Sequence, residues 1–297
     1  MSKKKKTLRK YKSVCQEKPT YLYKYVDIDS LPIILDGGSI KITNPLEFND
    51  PFDCNIPQFD LGKADVFKII KEEFSKKLDI KINNPHLELF LKQSKDEFEI
   101  LRKEIIEQTE EMFNQWDDFI SQFRVLSLTT KPDNILMWSH YAKDHKGVVL
   151  KFKCDSTFEL AKKVKYGEGE NLLSIFLNNA VRTLVRAVVS ENEQVIDKIT
   201  DITSDRMLAL FTNYFYLKMD EWKYEDEYRL VLGKNNPKVH YLPEPDIDVI
   251  KFLPSELDGI IFGVSAVKND LIHQILAEKY PDTQVQYAKK EGWSLKI

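Results

Sequence analysis

Cysteine and glycine are both scarce in this 297-residue sequence, with three and ten copies respectively. Cys15, Cys54 and Cys154 stand far apart, and no Cys-x-x-Cys pair occurs. That spacing excludes a disulfide framework and a cysteine zinc site, and it points to a reducing, cytoplasmic setting. The glycines never form G-x-G-x-x-G or G-K-[ST], so the phosphate loops of dinucleotide-binding and P-loop folds are missing. No run of about 18 apolar residues is present, which excludes a membrane-spanning helix. An excess of positive charge is lacking too: the net charge is −3, so a strongly basic nucleic-acid binder is not favoured. No internal repeat is found.

Hydrophobic residues make up 42% and charged residues 31%, the balance of a folded chain rather than a disordered one. The length is ample for a buried core. The opening "MSKKKKTLRKYK" is basic with no apolar stretch behind it, so it does not read as a secretory signal. Residues 1–20 are expected to be a flexible basic tail, and 21–297 a single α+β domain.

Within that domain, "YLYKYV", "IKITN", "FRVLSLTT", "GVVLKF", "YEDEYRLVLG" and "LDGIIFGV" read as strands from their aromatic and β-branched content. "DIDSLPIILDGG" and "AVKNDLIHQILAEKY" read as helices, the first stopped by Gly37 and Gly38. Apolar residues at helical spacing predict inserted helices near 62–122 and 169–219. Strands so far apart in the chain predict a mixed or mainly antiparallel sheet with helices on its faces.

Three segments hold polar groups in unusual settings. In "NPLEFNDPFDCN", Pro51 forces Asp50 out of helical geometry and the phenylalanines anchor the loop. Asp50 is expected to brace a site beside Asn49, and Asp53 to support the turn; an Asx-type turn is the alternative use of both. In "SLTTKPDNILMWSHYAKDHKG", Pro132 and Asp133 are read as opening a helix that Gly147 closes, with Trp138, Tyr141, Ala142 and His145 on one face. His140 and His145 lie five apart, so they form no helical metal pair, and no metal site is read from this sequence. In "WKYEDEYRLVLG", strand alternation puts Glu225, Glu227 and Arg229 on one face, as a surface ion pair or as a polar cleft floor.

Together, "YLYKYV", "ITNPLEFNDPFDCN", "SLTTKPDNILMWSHYAKDHKGVVLKF" and "WKYEDEYRLV" resemble the bacterial family called domain of unknown function 2971, over roughly residues 21 to 232. The FNDPFD and WSHYA-x-x-HKG blocks are its most specific parts. The resemblance implies a bacterial or phage-related cytoplasmic protein, with some relatives among phage-defence genes, and no settled activity. The order of motifs is also similar to that of ADP-ribosyltransferases: Tyr23 or Tyr25 early, Ser127 with Trp138 and Tyr141 centrally, and Glu225-Asp226-Glu227 late. The first block lacks their usual His or Arg, and Lys24 or Tyr25 would stand in.

The reading that follows is a nucleotide-using, ADP-ribosyltransferase-like or NAD-cleaving enzyme, with NAD as substrate and no cofactor firmly implied. Glu227, Glu225 and Tyr141 are its candidate catalytic residues. Tyr25, Lys24, Asn49, Asp50, Ser127, Trp138, His145 and Arg229 are its candidate ligand contacts. A carboxylate near the ribose would stabilise the oxocarbenium-like charge that forms as nicotinamide leaves, while aromatic walls exclude water. The alternatives are a non-catalytic nucleotide-binding or sensor module, and a magnesium-dependent nuclease built on Asp50, Asp53, Glu225 and Glu227.

Overall fold

The structure, a computed structural model, describes residues 18–55, 66–96, 99–100, 103, 107, 114–167, 182, 186, 212–267 and 269–297. In chain order the elements used below are β1 (Tyr21–Val26), α1 (Leu31–Gly37), β2 (Ser39–Ile42), α2 (Val66–Lys77), α3 (Pro85–Gln93), α4 (Trp116–Ser121) and β3 (Phe123–Thr129). They continue with α5 (Ile135–Tyr141), β4 (Val148–Lys153), β5 (Lys162–Lys163), β6 (Lys165–Tyr166), β7 (Leu217–Lys218) and β8 (Glu227–Gly233). The last are β9 (Val239–Leu242), β10 (Ile247–Lys251), β11 (Leu257–Phe262), α6 (Asp270–Lys279), β12 (Gln284–Tyr287), β13 (Lys289–Glu291) and β14 (Ser294–Lys296).

Seven strands form one sheet in the order β12–β11–β4–β1–β3–β8–β5, and only the β11–β12 pair runs parallel. The fold is α+β with a mixed, mainly antiparallel sheet. Alternation along β1 sends Leu22 to one face and Tyr25 to the other. On Leu22's side the sheet is covered by α1 and α6, through Leu31, Leu35, Ile272 and Leu276. On Tyr25's side it is covered by α5, through Met137 and Trp138. Each fully buried side chain of this kind contributes about 1.5–3 kcal/mol. A smaller antiparallel sheet, β2–β10–β9, stands beside β3 and meets it through a Thr43–Val125 bridge.

The seam between β1 and β3 is what makes room for a site. β1 pairs with β4 along its whole length, from Tyr21 with Lys153 to Val26 with Val148. With β3 it pairs only at Tyr23 and Thr129. Beyond that point the two strands part. β3 stays with β8 over seven residue pairs, Phe123–Gly233 to Thr129–Glu227.

Two segments differ from the pattern-based expectation. The tryptophan helix begins later and ends sooner: Asn134 caps it, its side chain accepting the N–H groups of Leu136 and Met137, and α5 stops at Tyr141. Lys143, Asp144 and His145 are then all left-handed, with φ of 47°, 54° and 64°, so His145 leaves the helical face. Gly147 closes the turn against β1, where a Cβ would meet the Val26 carbonyl at 2.4 Å. The acidic strand also starts late. Residues Asp220–Glu225 form a 3-10 turn, Asp226 is left-handed, and β8 begins at Glu227.

Of the expected helical layer, α2, α3 and α4 carry buried Ile70, Leu87, Leu91 and Trp116. Phe98, Leu101, Ile105 and Met112 lie outside the described residues, as do most of 169–219 and residues 1–17. The described residues of the second block are helical at 182, 186 and 212–214, and it ends in a strand: β7 pairs in parallel with β6.

Candidate functional site

The parted seam opens into a cavity of about 390 Å³. β1 contributes Tyr23, Lys24 and Tyr25; β3 contributes Ser127, Leu128 and Thr129. The proline loop adds Phe48, Asn49 and Asp53, α5 adds Met137 and Tyr141, and Lys218, Glu225 and Glu227 close the far wall. These pieces come from six separate stretches of chain, and each is put in place by a local device. The Asn134 side chain that caps α5 also donates to the Tyr224 carbonyl at 2.9 Å, tying the tryptophan helix to the turn before β8. Thr129 donates to the Glu225 carbonyl, and Tyr25 donates to the Lys131 carbonyl at 2.7 Å.

The far wall is a buried ion network. Arg229, fully buried, holds Glu227 with two hydrogen bonds, Nε to Oε1 at 2.8 Å and Nη2 to Oε2 at 3.0 Å. Its Nη2 also reaches Asp53 Oδ2 at 2.5 Å, and its Nη1 reaches the Phe215 carbonyl at 2.8 Å. Lys218 stands among the three carboxylates, with its Nζ 2.7 Å from Glu225 Oε2, 3.1 Å from Glu227 Oε2 and 3.5 Å from Asp53 Oδ2. Glu225 completes its shell through Oε1, which accepts the Tyr141 hydroxyl at 2.7 Å. The Trp222 ring lies under Lys218 and the Phe48 ring under Arg229, with the cations 5.0 and 5.6 Å from the ring centroids.

These contacts set the charge states. Burial alone would raise the Glu227 carboxyl, but Arg229 and Lys218 outweigh it and hold it down to about 2. Ser127, its hydroxyl donating, adds to that. Burial lowers Lys218, yet Glu227, Asp53 and Glu225 together keep it above the usual lysine value. Burial first, and then the Glu225 charge, push the Tyr141 hydroxyl well up, so it stays a proton donor.

Of the residues singled out from sequence, Tyr25, Lys24, Asn49, Ser127, Tyr141, Glu225 and Glu227 line this one cavity. Arg229 lies behind the wall as the counter-ion. Trp138 is also behind it, completely buried, edge-on to Tyr25 at 5.3 Å and donating to the Pro132 carbonyl. His145 stacks on the far side of Trp138 at 6.3 Å, outside the cavity lining. The two loop aspartates exchange their expected roles. Asp50 accepts the Phe52 N–H at 2.9 Å and supports the turn, while Asp53 carries the ion pair to Arg229. Glu225 and Glu227 do meet, but through a left-handed bend at Asp226 rather than by strand alternation. Lys218 escaped sequence reading, because its place after "NYFYL" looks like the end of a helix.

Residues 137–230 match a family model described as protein of unknown function (DUF2971). Over this segment, about a third of the chain, the sequence is similar to that family. No curated protein and no solved structure matches it. The matched segment supplies Tyr141, Lys218, Glu225, Glu227 and Arg229, whereas Lys24, Asp53 and Ser127 come from the chain ahead of it. Among the described residues no group of three or more His, Cys, Asp and Glu could hold a metal ion. The carboxylates named for a magnesium site are instead met by Lys218 and Arg229, or, for Asp50, by a turn amide. No helix of the described residues is long and apolar enough to cross a membrane.

Proposed function

We propose that the seam cavity is the active site of an enzyme acting on NAD or a related nucleotide, similar to ADP-ribosyltransferases in its chemistry. One observation carries this reading: Glu225 sits on the cavity wall with each oxygen held by a donor, Tyr141 at 2.7 Å and Lys218 at 2.7 Å. A buried ion network is a poor device for stability alone, since apolar residues of the same volume do as well or better. Its worth lies in fixing charges against a ligand. A carboxylate at a preset position stabilises positive charge as it grows on the ribose carbon during loss of nicotinamide. Glu225 fits that role better than Glu227, whose charge is offset by two cations, Arg229 and Lys218, against the one beside Glu225. Glu227 then positions Lys218, and Tyr23, Tyr25 and Tyr141 wall the cavity with aromatic surface. The cavity volume is within the range of small-molecule sites, about 300–1,000 Å³.

Transfer to a target and hydrolysis are both open to such a site. Depletion of NAD on infection would be its form in phage defence, the setting that the family resemblance suggests. Purified protein should release nicotinamide from NAD, or label a target in cell lysate, and Glu225→Gln should abolish it. Wild-type protein that neither consumes NAD nor modifies any macromolecule would overturn the proposal.

A second reading, a nucleotide sensor without turnover, draws on the full pairing of Glu227. Under it the protein binds a nucleotide, leaves it intact, and Glu225→Gln changes affinity alone.

A further inference from the structure

The ion network leaves two polar groups on the cavity unmatched, and they are of opposite kind. Lys24 reaches into the parted seam and gives one hydrogen bond, to the Ser127 carbonyl at 3.0 Å. Among the described residues no carboxylate lies within 4 Å of its ammonium, in contrast to Lys218 and Arg229. Two of its three N–H donors therefore remain for something in the cavity. The second group is Asp53. Its Oδ2 pairs with Arg229, but its Oδ1 is buried and finds no hydrogen-bond partner among the described residues, with the side chain only 5% exposed. The neighbouring Cys54 thiol, whose sulfur accepts from Arg229 at 3.4 Å, is only a weak donor to this carboxylate and does not replace a hydroxyl or N–H. A buried carboxylate oxygen without a donor is costly, so it calls for a water or a ligand group to meet it.

An unmatched ammonium asks for an oxyanion, and an unmatched carboxylate oxygen asks for a hydroxyl or N–H. We infer that the cavity binds a phosphorylated sugar, with its phosphate oxygens on Lys24 and a sugar hydroxyl donating to Asp53 Oδ1. This deepens the nucleotide reading and rests on the same cavity, since it names the portion of the ligand that the two unmatched groups grip. The neutral groups beside them suit that portion too: Asn49 and Thr43 line the same cavity and can serve phosphate or hydroxyl alike. Burial, aided by Lys218 and Lys41, holds the Lys24 ammonium below the usual lysine value, although Glu227 and Glu225 pull it up. An anion beside it would reverse that shift.

The test uses the full chain and three probes, ribose 5-phosphate, ribose and inorganic phosphate, followed by calorimetry and thermal shift. Ribose 5-phosphate should bind about 10- to 100-fold tighter than ribose, the worth of the charge-assisted contact, and about tenfold tighter than inorganic phosphate, the worth of the hydroxyl contact. Lys24→Met should weaken it about 10- to 100-fold and abolish the advantage of ribose 5-phosphate over ribose. Asp53→Asn, which turns an acceptor into a donor, should remove the advantage over phosphate. If Asp53→Asn fails to fold, 2-deoxyribose 5-phosphate and other hydroxyl-deleted analogues with the wild type read the same contact. Wild-type protein that binds none of the probes, or that binds ribose 5-phosphate unchanged in Lys24→Met, would overturn the inference. NAD turnover that ignores Lys24 would sink this inference and leave the enzyme proposal standing. Binding that needs Lys24 and Asp53 but comes without turnover would do the reverse.

Discussion

Arg229 grips Glu227 two positions back on the same strand, both residues buried, through two parallel hydrogen bonds at 2.8 and 3.0 Å. Asp53, from a loop 176 residues earlier, shares the same guanidinium. Removing that guanidinium leaves two buried carboxylates short of a partner. Arg229→Met should therefore cost about 3–5 kcal/mol, read as a shift of the urea midpoint. Glu227→Met added to it should return part of the loss, because the stranded charge goes too. A single variant as stable as wild type would show that the network is not closed as described.

Acid should act through Glu227. Its carboxyl titrates near 2 in the folded chain against an ordinary value of 4.5. A depressed carboxylate contributes stability that is fully present above 4.5 and is lost as pH falls from 4.5 towards 2. Denaturant titrations from pH 6 to 2.5 should show that slope, and Glu227→Gln should flatten it. Lys24 gives a slope of the same sign at the alkaline end. Its folded value is lowered, so stability should rise as pH climbs through it towards the ordinary 10.5.

Tyr141 is held as a donor by burial and by the Glu225 charge, and it should not ionise at working pH. Tyr141→Phe keeps the ring and deletes one hydrogen bond to a buried carboxylate, worth about 1.5–3 kcal/mol of stability. On the proposed reading NAD turnover by the still-folded variant should also fall, about tenfold or more, because Glu225 loses one of its two anchors. Equal small losses in stability and turnover would confine Tyr141 to structure.

Close backbone packing gives a prediction free of the ion network. A Cβ at Gly263 would fall 2.2 Å from the His145 carbonyl and 2.8 Å from its carbon. Neither neighbour is a flexible side-chain end, so the turn after α5 must move. Gly263→Ala should lower the melting temperature by several degrees, while Gly292→Ala, with nothing within 4 Å, is limited to the strain of its left-handed φ of 60°.

How far the sequence could be read depended on how local each feature is. β1, β3, β4 and β11 follow from short runs of aromatic and β-branched residues, and these are the strands that build the sheet's middle. The parting of β1 from β3 is a matter of pairing between residues about 100 apart, and no single segment announces it. Likewise Tyr141, Glu225 and Glu227 were legible because their types are odd in their settings. His145 was misplaced because helical spacing was carried past Tyr141, where three left-handed non-glycine residues follow with no turn signal. Asp53 and Asp50 are the same residue type three apart, and only the position of Arg229 decides which one turns inward.

Lys218 is the hardest case, and the prediction it carries is sharp. Its place is fixed by a two-residue parallel ladder with Lys165 and Tyr166, a tertiary contact without local signature. There, among the described residues, it is the one cation within 4 Å of all three carboxylates. In Lys218→Met, Asp53 and Glu227 keep Arg229, but Glu225 is left with Tyr141 alone and faces two like charges. At pH 7 the variant should be destabilised by about 3–5 kcal/mol. As pH falls the like charges of the variant are relieved by protonation, whereas in the wild type Lys218 already offsets them. The gap between the two proteins must therefore narrow between pH 7 and pH 4.5. Denaturation curves at those two pH values measure it, and a gap that stays constant or widens would mean that Lys218 supports the fold by packing on Trp222 rather than by its charge.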